Sequence, residues 1–228
     1  MVEEKTVGLI RSNGDKAAVL GAGSPVSYRQ LIQGINAYSR ILLQSSGTPA
    51  STGPVASASA PPADDVLPRV LITGDNSTAW IRGFYAILSS GMVAVPVDTQ
   101  ATADDIRYLV QDCQPRLVLS SLARAEAVHA ALEVLPAEQR PAVLILEELE
   151  AADFTSESDS FDFLPDSDTV AVIIYTSGTT GSPKGVMLSY GNLQANMEAV
   201  SPPAMTIYGP TDRVMMLLPV HHIFPLVG

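Results

Sequence analysis

Apolar positions along this chain come in two rhythms that alternate with each other. Short uninterrupted apolar runs at 70–72, 92–97, 117–119, 142–146 and 170–175 carry no charged break, the pattern of strands buried on both faces. Between them lie stretches whose apolar residues recur every three or four positions. In 29–44 these are Leu31, Ile35, Tyr38 and Leu42, one stripe of an amphipathic helix, with Ser27 placed to cap it. A second helix is predicted over Thr78–Ser89, with Gly91 to stop it. A third opens at Thr102-Ala103-Asp104-Asp105, where an acidic first turn suits the helix dipole, and runs to about Cys113. Residues 123–135 continue the alternation, and 17–20 form a short strand ahead of the first helix.

Strands alternating with helices predict an α/β fold with a mostly parallel sheet flanked by helices. Two segments interrupt the rhythm. Residues 45–63 consist almost wholly of Ser, Ala, Gly, Thr and Pro, too poor in large apolar groups to pack, and read as a flexible surface insertion. Residues 147–168 are acidic, contain Pro165, and read as an exposed connection before the strand at 170–175. They divide the chain into an N-terminal α/β subdomain, 1–168, and the start of a second subdomain, 169–228.

Composition narrows the function classes. With 228 residues and 46% hydrophobic content the chain can bury a substantial core. Its formal net charge of −11, from 24 acidic and 13 basic side chains, argues against nucleic acid as a partner. The single cysteine, Cys113, excludes an internal disulfide and a cysteine-based zinc site. No apolar leader follows the acidic start Met1-Val2-Glu3-Glu4, and the apolar stretch 214–228 is broken by Pro219, two histidines and Pro225. The expectation is a cytoplasmic protein without a transmembrane segment, which leaves room for peripheral membrane contact.

The candidate chemistry sits directly after the run 170–175. Thr176-Ser177-Gly178-Thr179-Thr180-Gly181-Ser182-Pro183-Lys184-Gly185 turns a buried strand into a string of hydroxyls, glycines and one lysine. Small residues let backbone N–H groups approach an anion, hydroxyls add short donors, and lysine adds a point charge, which together suit a polyphosphate. The spacing is not that of a Walker A loop, because Lys184 follows Pro183 and precedes Gly185. It is not the dinucleotide fingerprint either, since no paired first glycine precedes Gly178 and Gly181.

The whole string, from Tyr175 to Val186, resembles the signature loop of the acyl-adenylate-forming (AMP-binding) superfamily, which includes acyl-CoA synthetases, peptide-synthetase adenylation domains and luciferases. Similar but weaker matches run through Thr73-Gly74-Asp75-Asn76-Ser77, through 83–88 and through 91–98, where Thr99 stands in place of the usual proline. Leu218-Pro219-Val220-His221-His222-Ile223-Phe224 resembles the segment bordering the acyl site, with His222 at the family's recurrent histidine or aromatic position and His221 beside it. The closest likeness is to the N-terminal part of a long-chain fatty acid–CoA ligase.

That resemblance implies the N-terminal portion of the large domain of an adenylate-forming enzyme, with residues 169–228 beginning its ATP-binding subdomain. It implies attack of a carboxylate on the α-phosphorus of Mg²⁺-bound ATP, release of pyrophosphate, and transfer of the acyl group from acyl-AMP to coenzyme A. Thr176, Ser177, Gly178, Thr179, Thr180, Gly181 and Lys184 would hold the phosphates, and Thr179, Lys184 and His222 would act in the chemistry. The family's adenine, ribose and metal ligands and its lid lysine come later in the chain, so no metal ligand is assigned here. The chain ends at Gly228 inside an apolar segment, and an N-terminal piece of a longer ligase, inactive alone, is expected. A medium- or long-chain fatty acid is the favoured substrate. An amino-acid or fatty acyl-AMP ligase loading a carrier protein, or a non-catalytic nucleotide-binding module, is the alternative.

Overall fold

The computed structural model describes residues 14–21, 24–47, 67–151, 154, 157–158, 166–176, 183–207 (side chains of 200–207 excepted), 212–213, 215–216 and 218–222. Strands β1 (Ala17–Val19) and β2 (Val26–Ser27) form a small antiparallel pair that leads into helix α1 (Tyr28–Ser46). Ser27 caps α1 in a reciprocal capping box: its Oγ accepts from Gln30 N at 3.2 Å and its own N–H donates to Gln30 Oε1 at 2.9 Å. Gly47 closes the helix at φ 68°, a left-handed conformation that a side chain resists. The helix therefore takes residues 45 and 46 from the low-complexity segment, and 48–63 lies outside the described residues.

From there the predicted alternation holds. Strand β3 (Arg69–Thr73), helix α2 (Thr78–Ser89), β4 (Val93–Val97), α3 (Ala103–Cys113), β5 (Leu117–Ser120), α4 (Ala125–Glu133) and β6 (Ala142–Ile145) follow in order. Then come a short helix α5 (Leu146–Glu150), β7 (Val170–Thr176), β8 (Lys184–Ser189) and α6 (Tyr190–Ile207). Six strands make one sheet in the order β6-β5-β3-β4-β7-β8, parallel except for β8, which runs antiparallel at the edge. A mostly parallel sheet flanked by helices was the expectation, and it is what forms. The strand at Val170–Thr176 joins the same sheet as the strands before it.

Side-chain alternation along the central strands sorts the helices. Val70, Ile72, Leu117 and Leu119 point to one face, where they pack with Ile35, Tyr38 and Leu42 of α1 and Trp80, Phe84 and Ile87 of α2. Leu71, Val93, Val95, Val97 and Val118 point to the other, against Ile106, Leu109 and Val110 of α3 and Val128, Ala131 and Leu132 of α4. Every residue of β4 is buried, which is why its sequence carries no polar alternation. Cys113 is buried in the second cluster, and burial pushes its thiol up to about 11, leaving it an inert core residue.

The described residues of the connection at 147–168 are mostly exposed, as expected, but its first turn is anchored to the core. Leu146 and Leu149 of α5 are buried, and Glu150 pairs with the guanidinium of Arg82, whose side chain is only 5% exposed. Arg82 Nη2 also donates to Gln30 O at 3.1 Å, and its Cζ lies 4.9 Å over the ring of Phe154. Tyr38 Oη donates to Glu150 Oε2 at 3.0 Å, and its pKa is raised by burial first and by Glu150 second. Gly34 leaves room for this cluster, because a Cβ there would lie 2.2 Å from Arg82 Nε. Acidic composition concealed one apolar anchor, Leu149, and a glutamate that answers a buried arginine. Among the described residues no helix is long and apolar enough to cross a membrane.

Candidate active site

The crossover after β3 packs on one face of the sheet and the crossover after β4 packs on the other. The two strands are neighbours, so their carboxyl ends are the position where open α/β sheets bind ligands. Asn76 lies just beyond β3. Its Nδ2 donates to Leu218 O and its Oδ1 accepts from Val220 N, both at 2.9 Å, clamping the turn 218–222 onto the end of the sheet. Val220 fills the adjoining core, and His222 N closes the turn on Pro219 O at 3.1 Å.

His221 is buried beside the end of β4, its side chain 7% exposed, with Nε2 3.7 Å from Asp98 Oδ1. His222 is exposed, and the two imidazole centroids stand 4.4 Å apart. Burial is the main cause that lowers the pKa of His221 below the ordinary 6.5; Asp98 opposes it and His222 adds to it. The unfolded chain therefore binds this proton at a higher pH than the folded one. Stability from His221 is complete above pH 6.5 and falls as the pH drops from there towards the lowered folded value. A His221→Phe variant is expected to show a shallower loss of melting temperature than the parent between pH 7.5 and about 5.5, read by thermal denaturation. Equal slopes would contradict it.

The phosphate-loop residues fall partly outside the described chain. Thr176 ends β7 and is exposed, Lys184 begins β8 and is exposed, and the two are cross-strand partners. Ser177, Gly178, Thr179, Thr180 and Gly181 lie outside the described residues. The loop between the strands is thus narrower than the ten-residue string, since Lys184 and Gly185 already belong to a strand. Gly185 is required there: a Cβ would lie 2.8 Å from Ile173 Cγ2 and 3.2 Å from Tyr175 Cζ. The hairpin is tied to α3 twice. Tyr108 Oη donates to Pro183 O at 2.9 Å, and Tyr175 Oη donates to the Asp112 carboxylate.

β7 lies next to β4 with Ala94 opposite Val172, and continuing that register levels Asp98 with Thr176. The residues that flank the loop, Thr176 and Lys184, and the histidine turn therefore stand at the carboxyl edge of adjacent parallel strands. Sequence reasoning named Thr176, Lys184 and His222 but passed over the groups that hold them. Asn76 entered only as part of a weaker family match, because its partners lie more than 140 positions away in sequence. Tyr108 sits in a helical stripe that reads as packing.

The AMP-binding enzyme family profile matches residues 65–228. The chain belongs to the AMP-binding enzyme family. Within that family it is 32% identical over 161 residues to fadD25 of Mycobacterium tuberculosis, named as a fatty-acid–CoA ligase, covering 68% of this chain and 27% of that protein. It is 34% identical over 157 residues to the sulfoacetate–CoA ligase of Cupriavidus necator, covering 67% of this chain and 30% of the ligase. ATP-bound MatB from Rhodopseudomonas palustris superposes with a TM-score of 0.70 at 22% identity, covering 97% of this chain and 41% of MatB, a likeness of fold. This AMP-binding chain thus spans less than a third of the length of those two ligases.

Proposed function

We propose that the parent protein activates a carboxylic acid by ATP-dependent adenylation and passes the acyl group to coenzyme A. One observation carries this reading: two residues of the signature string, Thr176 and Lys184, are paired across a hairpin braced at the carboxyl edge of the sheet. A displacement at phosphorus is accelerated mainly by positioning and by neutralising charge on oxygens. A loop rich in N–H and hydroxyl donors with a strand-anchored lysine at its end supplies both. Lys184 then compensates the charge that builds on the leaving pyrophosphate, and His222 faces the carboxylate of the incoming acid. Mg²⁺ arrives on the nucleotide phosphates; among the described residues no three acidic, histidine or cysteine side chains converge.

A medium- or long-chain fatty acid is the proposed substrate, supported by the relationship to the fatty-acid–CoA ligase. The relationship to a sulfoacetate–CoA ligase is as close, so the family alone does not choose the acid. The 228-residue chain by itself is proposed to turn over negligibly, because it spans so small a share of its relatives. A cytoplasmic setting is proposed with it. The test is acid-dependent exchange of labelled pyrophosphate into ATP by the full-length natural chain, offered fatty acids, short sulfonated or dicarboxylic acids and amino acids. Exchange with acyl chains supports the proposal, exchange only with amino acids moves the protein to carrier-loading chemistry, and silence from folded protein overturns adenylation.

The brace on the loop adds a prediction. Tyr108→Phe removes one hydrogen bond to Pro183 O, worth about 1 kcal/mol. The KM for ATP in that assay is expected to rise about fivefold, with the KM for the acid little changed. A wild-type KM for ATP would show that the brace does not position the loop.

A further inference from the structure

Both ring nitrogens of His221 are buried and lack a hydrogen-bond partner among the described residues. A buried polar group left in this state costs about 1–3 kcal/mol, so its persistence calls for a reason. The group nearest to answering it is Asp98. At 3.7 Å the pair is too long for a hydrogen bond but within reach of one after a small shift. The carboxylate is a fixed target, since Asp98 Oδ1 already accepts from Gln100 N at 2.8 Å and the Asp98 carbonyl accepts from Ala101 N at 3.0 Å.

The turn around His221 is held unevenly. Asn76 fixes Leu218 and Val220, and the Val220 side chain is locked in the core; beyond Val220, among the described residues, the imidazole of His221 approaches Asp98 at the end of β4. Its ring lies against that of His222 at an interplanar angle of 45°, so where His221 settles determines where His222 stands. The charged and titratable groups that act on His221 are Asp98, from the end of β4, and His222, from its own turn.

We propose that His221 is a positioning residue: through Asp98 it seats the 218–222 turn on the end of β4 and thereby sets the place of His222. The long contact shortens to a hydrogen bond when the acid is loaded, as hydrogen bonds in active sites commonly tighten on ligand binding. The seat itself stands on geometry. Its catalytic consequence rests on the adenylation proposal above.

Two measurements on the full-length natural chain test it. Nitrogen-15 NMR of labelled histidines, assigned through His221→Phe and His222→Ala, follows each imidazole with pH. Asp98→Asn removes the one attractive charge, so the His221 titration moves to lower pH and the His222 resonance shifts, while His129 on α4 stays in place. An unmoved His221 titration overturns the proposal. In the exchange assay, His221→Phe and Asp98→Asn each raise the KM for the acid about fivefold and leave the KM for ATP within about twofold. His221→Gln, which keeps a donor for Asp98, recovers most of that loss. His222→Ala made on His221→Phe adds less than about twofold, the non-additivity of residues acting as one unit. A full additional loss overturns the proposal. If the parent shows no exchange with any acid, adenylation fails and the NMR arm alone decides the seat.

Discussion

Lys184→Ala in the full-length natural chain is expected to lower acid-dependent pyrophosphate exchange by about a hundredfold, the loss seen when one preorganised stabilising group is removed from a transition state. The melting temperature is expected to stay within about 1 °C, because the side chain is exposed and surface substitutions seldom cost more than about 0.5 kcal/mol. The contrast follows from how the residue is held. Its backbone is paired with Thr176 and the preceding carbonyl is gripped by Tyr108, so the chain delivers the ammonium to the loop from a rigid base while spending no packing on it. Lys184→Arg restores only part of the rate, since a planar fork replaces a compact charge on a flexible stem. Adding Thr179→Val to Lys184→Ala is expected to bring exchange close to background. Unchanged exchange in the double variant, with folding intact, would remove the loop from the chemistry.

The fold was legible because its signals are local. The cap at Ser27, the acidic helix start at Thr102, an all-apolar β4 and the 3.6-residue stripe of α1 each declare themselves within a few positions. The loop was legible as a string of residue types, and its anchoring ends fall where a strand must begin and end. What escaped were contacts between distant segments. Asn76 gripping the 218–222 turn, Tyr108 gripping Pro183 and Glu150 answering Arg82 join positions roughly 70 to 140 apart, and no periodicity encodes such partners. The two histidines illustrate the limit. Sequence resemblance favours His222, while only the folded chain reveals that His221 is the buried one, and so the one with two unanswered nitrogens.

Glu150→Ala tests the largest of these hidden contacts. Arg82 is sealed between α1, α2 and α5, and Glu150, 35% exposed, carries its countercharge. Removing one member of a buried pair strands the other, at a cost of about 3 kcal/mol, and here Tyr38 Oη loses the nearer of its two acceptors and keeps Leu146 O at 3.3 Å. For a chain of this size the melting temperature should fall by about 6–12 °C. The remaining bonds of Arg82, to Gln30 O and over Phe154, cannot compensate, because they offer dipoles and a ring face in place of a charge. The decisive comparison is the double variant Arg82→Met with Glu150→Leu, which removes the stranded charge and keeps the volume filled. It is expected to recover at least half of the loss, since apolar replacement of a whole buried pair is often neutral. If Glu150→Ala melts with the parent, water reaches Arg82 and the cluster is not sealed. If the double variant melts as low as the single, the loss lies in packing around Leu146, Leu149 and Phe154, and α5 holds the fold through its apolar anchors.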